Sequence, residues 1–330
     1  MVRSYIRGLG FYVPPRIVTN DDLAKLMDTS DAWIRERTGI QTRHFVENGV
    51  ATSDLALEAT KNALKDAGLT VKEIDFIILA TLSADYQFPG SSAVLQSKLG
   101  IDSIGAMDIR TQCSGFIYGL ATADAMIRAG QYRRILVVGA EVQSSALDLT
   151  TRGRDVAVIF GDGAGAAILE ATEEDRGILS SHLHCDGRYA KELWVEHPGS
   201  SSPPNVSLKR VEEGRHFPKM NGREVFKHAV TKFIEVIQEA CRANRIGLEA
   251  LDLLIIHQAN IRIAEAVRES LKLPPEKMHN NIHKYGNTTA ASIPIALTEA
   301  KQLGKLKPGN LVCLAAFGSG FTWGATLIRW

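Results

Sequence analysis

Three residues of this chain stand where side chains can do chemistry. Cys113 lies in DIRTQCSGFIYG, residues 108–119, at the junction of a polar turn and an apolar run. His257 directly follows the apolar LLII in DLLIIHQANIRI, and Asn287 follows a glycine in KYGNTTAAS. A thiol at a strand-to-helix turn would sit at a helix N-terminus, where the dipole and free N–H groups favour the thiolate. The same N–H groups can hold an oxyanion. Taken singly, each residue has a plainer explanation. A free cysteine is often a small buried hydrophobe, a lone histidine is usually a satisfied core group, and an asparagine after glycine usually serves a turn or N-cap.

The elements around them give the three a common place. Strand-like apolar runs alternate with helical patterns, the signature of α/β layers. The pattern also repeats. LALEATKNALKDAGLTVKEIDFIILAT (55–81) and VTKFIEVIQEACRANRIGLEALDLLIIHQ (230–258) both read as helix, loop, acid and buried strand, with Asp75 matching Asp252. SSAVLQSKLGI (91–101) resembles IAEAVRESLKL (263–273), and AGQYRRILVVGAE (129–141) resembles LGKLKPGNLVCLAAF (303–317), Gly130 against Gly304. The offset stays near ~175 residues, far beyond solenoid periods, so one domain-sized unit is used twice. Ligands of open α/β sheets gather beyond the carboxyl ends of strands. Cys113 follows GAMDI, His257 follows LLII, Asn287 precedes the helical TTAASIPIALTEA, and FGSG (317–320) ends a late strand. Four strand ends from two related halves should therefore meet in one cleft.

Composition excludes other classes. The chain has 330 residues, 45% hydrophobic and 23% charged, with net charge +1. This allows a large core and one or two domains, and offers no charged tail for nucleic acid or membrane. No apolar run is long enough to span a membrane, and MVRSYIRGLGFYVPP is a poor signal peptide, so a soluble cytoplasmic protein is expected. The four cysteines, Cys113, Cys185, Cys241 and Cys313, form no CxxC pair and indicate neither zinc nor a disulfide framework. Cys241 and Cys313 read as inert core thiols. In GDGAGAAIL (161–169) a strand-like AAIL follows the glycines, and Asp162 would face any phosphate. A structural role is therefore expected there, not dinucleotide binding. The polar, Pro/Gly/Ser-rich stretch 184–220 reads as a lid or cap carrying Trp194 and Phe217.

Seven segments together resemble the thiolase superfamily, specifically the β-ketoacyl-acyl-carrier-protein synthase III family. They are TSDAWIRERTGIQTRH (29–44), QCSGFIYG (112–119), RGRDVAVIFGDGAGAA (152–167), GREVFKHAV (222–230), HQANIRI (257–263), GNTTAASIP (286–294) and AFGSGFTWG (316–324). The resemblance implies a thiolase-like fold of two duplicated α/β halves in α-β-α-β-α layers. The expected divisions are residues 1–172 for the cysteine half, 173–221 for a connecting strand and cap, and 222–330 for the His/Asn half. It implies a homodimer and a Cys113, His257, Asn287 catalytic set. The backbone N–H groups of Cys113 and Ser319 would form the oxyanion hole. Trp33, Arg37, Arg152, Phe226 and Asn260 would contact coenzyme A, Phe88 would close the acyl pocket of the partner subunit, and Arg262 would dock the carrier protein.

The implied reaction is a decarboxylative Claisen condensation of an acyl-CoA primer with malonyl-acyl carrier protein through a Cys acyl-enzyme, with no metal or redox cofactor. The chain departs from the family in Ser319, where glycine is common, and in Gln112-Cys113-Ser114, where Ala-Cys-Ala is usual. The alternative within this resemblance is a paralogue of secondary metabolism, priming alkylquinolone or polyketide synthesis with another acyl group or with malonyl-CoA. A degradative thiolase would need a second cysteine near the C-terminus, which AFGSGFTWG does not supply. A non-catalytic acyl-CoA-binding protein is disfavoured by the presence of all three site residues.

Overall fold

Period-two alternation along the strands decides which face of each sheet meets which helix. The computed structural model describes residues 2–330. The first half runs β1 (Arg3–Tyr12), α1 (Thr52–Ala67), β2 (Phe76–Ala80), α2 (Ser91–Leu99), β3 (Gly105–Ile109), α3 (Gly115–Arg128), β4 (Arg134–Glu141) and β5 (Gly163–Thr172). The second runs β6 (Gly177–Cys185), α4 (Gly222–Ala243), β7 (Leu253–Ile256), α5 (Ile261–Ser270), α6 (Ser292–Gln302), β8 (Leu311–Gly318) and β9 (Thr322–Arg329).

The sheets have the orders β1-β5-β4-β2-β3 and β6-β9-β8-β7. Their pairings match step for step. β2 is parallel to β3 and β4, and β5 is antiparallel to β4 and β1. In the second sheet β7 is parallel to β8, and β9 is antiparallel to β8 and β6. The counterpart of β3 has shrunk to a single parallel bridge, Leu254 with Met278. From sequence, 177–185 belongs to a connector. In the structure it is the edge strand of the second sheet, because its partner β9 comes last in the chain.

Both sheets turn one face to a shared middle layer. Ile78, Ile135 and Val137 of the first sheet and Ile255, Val312 and Leu314 of the second pack with Phe116 and Leu120 of α3 and Ile293 and Leu297 of α6. The opposite faces are covered separately. Ile77, Leu79, Leu136 and Val138 meet Leu55, Ala59 and Ala63 of α1. Leu254, Ile256, Cys313 and Ala315 meet Phe233, Val236, Ile237 and Ala240 of α4. The result is five layers, α-β-α-β-α. Cys241 and Cys313 lie in the outer core of the second half, as their surroundings in sequence indicate.

The duplication extends to individual polar contacts. Asp75 accepts from the backbone N–H groups of Arg133 (2.9 Å) and Arg134 (2.7 Å) at the start of β4, and Asp252 accepts from Leu311 N–H (2.8 Å) at the start of β8. Gln112 and Thr289 open the 3-10 turns before α3 and α6, at φ 46° and 51°. This left-handed region costs a non-glycine residue roughly 1–2 kcal/mol. Asp162 gathers N–H groups from Val46 (2.8 Å), Gln143 (2.7 Å) and Ser144 (2.9 Å), and β5 begins directly after it. The GDG segment therefore clasps loops. Among the described residues no helix is long and apolar enough to cross a membrane.

A middle layer shared by both halves should make them unfold together. Leu297 is fully buried there. Leu297→Ala is expected to lower stability by about 2–5 kcal/mol while urea unfolding stays a single transition by fluorescence and circular dichroism. Two resolved transitions would show that the halves stand independently.

Candidate active site

The carboxyl ends of the strands converge on a cavity of about 500 Å³. Cys113, His257 and Asn287 all line it, although they are far apart in sequence and come from both halves. All three are buried. Around them stand Ile159, Phe160, Leu193, Met220, Phe226 and Phe317, and the lining also includes Trp33, Arg37, Asn260 and Arg262.

Cys113 sits in the 3-10 turn Gln112–Ser114 that feeds α3. Ser114 Oγ donates to Thr111 O (2.7 Å) and contacts Thr322 Oγ1 (2.7 Å), tying this turn to the start of β9. The turn after β8 presses against the cysteine. A Cβ built on Gly318 would lie 2.7 Å from Cys113 Cβ and 3.2 Å from its sulfur, so only glycine fits. The backbone N–H groups of Cys113 and Ser319 hydrogen-bond toward the sulfur.

Those N–H groups lower the thiol pKa, as expected at a helix start, but they do not decide it. Burial, assisted by the buried Glu141 carboxylate, pushes the Cys113 thiol up to about 12. The expected resting thiolate is therefore corrected to a neutral thiol. The helix start was legible, but the desolvation imposed by the second half was not. Glu141 is itself raised to about 7 by burial, while accepting from Ser83 Oγ (2.7 Å) and Leu82 N–H (3.1 Å).

His257 directly follows β7, and its backbone N–H donates to Ala315 O of β8 (2.8 Å). Its Nδ1 lies 2.6 Å from Ser292 Oγ at the start of α6. Burial pushes its pKa down to about 3, so the imidazole is neutral. Asn287 is fixed by its backbone: its N–H donates to Ile159 O (2.9 Å) and its carbonyl accepts from Gly161 N–H (3.1 Å). Its Oδ1 accepts from Thr289 N–H (2.8 Å), which leaves the amide NH₂ as the group available to the cavity.

The expected coenzyme contacts divide. Two guanidinium groups approach the Trp33 ring, Arg37 at 4.6 Å and Arg154 at 5.1 Å from the ring centroid. Arg152 does not line the cavity. It pairs with Asp148 (2.5 Å) and covers Phe217 (5.5 Å). Arg154, two residues on in RGRD, is the residue of this pair that lies over Trp33, and it too is outside the cavity lining. Asn260 caps α5, accepting from Arg262 N–H (2.9 Å), and its NH₂ donates to Arg37 O (2.9 Å). It thus holds the rim of the cavity together. Arg262 lies over the Phe226 ring at 5.9 Å.

Phe88 does not reach this cavity within the chain and is 86% exposed. The excursion does line it, through Leu193 and Met220, whose segments pair as two short strands. Ser319 Oγ donates to Leu193 O, and Asp186 and Phe321 exchange backbone hydrogen bonds (2.8 and 2.9 Å). The cap is thereby fastened to the turn that presses on Cys113.

Residues 107–187 match the family model for 3-oxoacyl-[acyl-carrier-protein] synthase III, and residues 241–330 match the model for its C-terminal part. The chain is 48% identical to the β-ketoacyl-[acyl-carrier-protein] synthase III of Rhodospirillum rubrum, over the whole of both chains. Among solved structures it resembles the 3-oxoacyl-[acyl-carrier-protein] synthase III of Aquifex aeolicus, with TM-score 0.91 and 41% identity over 99% of this chain and 100% of that one. The corresponding enzyme of Thermus thermophilus gives TM-score 0.91 and 40% identity over 99% of each chain.

A thiol held near pKa 12 has a testable signature. Alkylation of Cys113 by iodoacetamide should climb about tenfold per pH unit from neutrality to about pH 10, following the thiolate fraction. A plateau near neutral pH would reveal a preformed thiolate and overturn the neutral resting state.

Proposed function

The chain belongs to the 3-oxoacyl-[acyl-carrier-protein] synthase III family, and we propose that Cys113, His257 and Asn287 divide its two half-reactions between them. It is an acyltransferase, a thiolase-fold condensing enzyme of fatty-acid synthesis. The observation that carries the residue assignment is the meeting of one thiol and two uncharged hydrogen-bonding side chains, all buried, on a single cavity.

In the first half-reaction the Cys113 sulfur attacks the thioester carbonyl of acyl-CoA. The N–H groups of Cys113 and Ser319, which already face the sulfur, receive the oxyanion. The carbon–sulfur bond to CoA breaks, and the thiol proton leaves with the CoA sulfur. His257, with its depressed basicity, is not needed as a base here.

In the second half-reaction the malonyl thioester places its carbonyl oxygen against His257 Nε2 and Asn287 Nδ2. The bond to the malonyl carboxylate breaks and carbon dioxide departs. The electron pair forms an enolate whose oxygen is held by these two donors. The carbanion carbon attacks the acyl-cysteine carbonyl, the β-ketoacyl thioester forms, and the cysteine sulfur leaves and regains a proton from solvent. A neutral imidazole suits this role, because it donates without surrendering its proton. The chemistry calls for no metal or redox group.

The partners in this reading are acyl-CoA, with its adenine at Trp33 near Arg37 and Arg154, and malonyl-acyl carrier protein, whose acidic surface Arg262 would meet. Phe88 would enter the acyl pocket of a second copy, so light scattering should give twice the 36.0 kDa chain mass.

The two half-reactions separate by mutation. His257→Ala and Asn287→Ala should still load an acyl group on Cys113, read by intact mass. Both should lose carbon dioxide release from the malonyl thioester by a factor on the order of 10² per donor. Asn287→Asp should be at least as damaging, since a carboxylate repels the enolate. Wild-type decarboxylation in Asn287→Asp would sink the assignment of Asn287.

A further inference from the structure

Donation by His257 requires its proton on Nε2, and the structure supplies a reason for that choice. We infer that Ser292 fixes His257 in the Nε2–H tautomer, and so makes the imidazole a hydrogen-bond donor toward the cavity. This inference rests on the donor role proposed above for His257.

Ser292 is the first residue of α6, and its hydroxyl oxygen lies 2.6 Å from His257 Nδ1. Both side chains are buried, at 2% and 3% exposure, so water does not compete for the contact. The same oxygen receives the backbone N–H of Gln258 at 3.4 Å. A serine hydroxyl has one hydrogen to give and two lone pairs to receive. With Gln258 N–H pointing at the oxygen, the hydroxyl hydrogen goes to Nδ1, the one acceptor within reach among the described residues. The reverse arrangement would aim two donors at the oxygen and leave its own hydrogen unused in a buried place, which costs about 1–3 kcal/mol. Nδ1 is therefore the acceptor, and the ring proton is on Nε2.

Ser292 touches no reacting atom in this scheme and acts as a positioning residue. It matters to the step that needs a donor, decarboxylation, and not to acyl transfer.

The test labels the histidine rings with nitrogen-15. Signals of His257 are identified by their loss in His257→Ala. The native protein is expected to show a protonated Nε2 and an unprotonated Nδ1. In Ser292→Ala the tautomers should mix, and carbon dioxide release from the malonyl thioester should fall by roughly tenfold to a hundredfold, up to the loss of one oxyanion donor. Acyl loading on Cys113 should persist, and Ser292→Thr, which restores a hydroxyl, should recover both the tautomer and the rate.

A native His257 protonated on Nδ1 overturns the inference, even if Ser292→Ala fails to fold. So does a Ser292→Ala protein with an unchanged tautomer and unchanged decarboxylation. A native protein that never releases carbon dioxide would refute the condensing role of the site instead, and the nitrogen spectrum would still decide the tautomer.

Discussion

The site depends on one contact, the approach of the turn after β8 to the turn before α3. There the Gly318 backbone reaches the side chain and backbone of Cys113 so closely that no Cβ can intervene. The contact joins the halves at the Cys113 sulfur. It delivers the Ser319 N–H to the sulfur, shields the sulfur from water, and fixes where the cap attaches. The two polar triggers on either side, Gln112 and Thr289, hold left-handed backbone that an isolated turn would avoid. Strain of this kind persists where surrounding packing determines it. Here that packing is the middle layer of α3 and α6, squeezed between both sheets.

Burial at this contact sets the electrostatics. It raises the thiol and lowers the imidazole, so both resting groups are neutral. A site for ionic catalysis in water would be built differently. A carbanion, however, must meet a carbonyl carbon before it meets a proton, and a dry cavity favours that outcome. In the same low-dielectric space, uncharged donors fixed in place stabilise a developing oxyanion strongly. Neutral side chains with aimed N–H groups are consistent with both needs.

Much of this was legible in the sequence, because duplication leaves marks at equal spacing. Asp75 and Asp252 are matched in sequence and hold neighbouring strands in the same way in both halves. The expected meeting of strand ends placed Cys113 and His257 at one cleft, while choosing Cys113, His257 and Asn287 as a set came from the family resemblance. What escaped was contact between distant segments. The thiol pKa was misjudged because local helix logic carries no trace of burial, to which the distant turn at Gly318 contributes. The strand Gly177–Cys185 pairs with β9, at the far end of the chain. Arg152 ends over Phe217 and Arg154 over Trp33, a difference that two neighbouring arginines in RGRD do not reveal. Ser292 reads as an ordinary helix-opening hydroxyl until His257 is seen beside it.

The contact between Gly318 and Cys113 also imposes an order on the life of a newly made chain. Synthesis runs from the N-terminus, so Cys113 emerges well before the β8–β9 hairpin that covers it. Until that hairpin closes, the burial that raises the Cys113 thiol is incomplete. Closure of the β8–β9 hairpin is thus the step that covers the sulfur, and a nascent chain that stalls before it leaves Cys113 exposed.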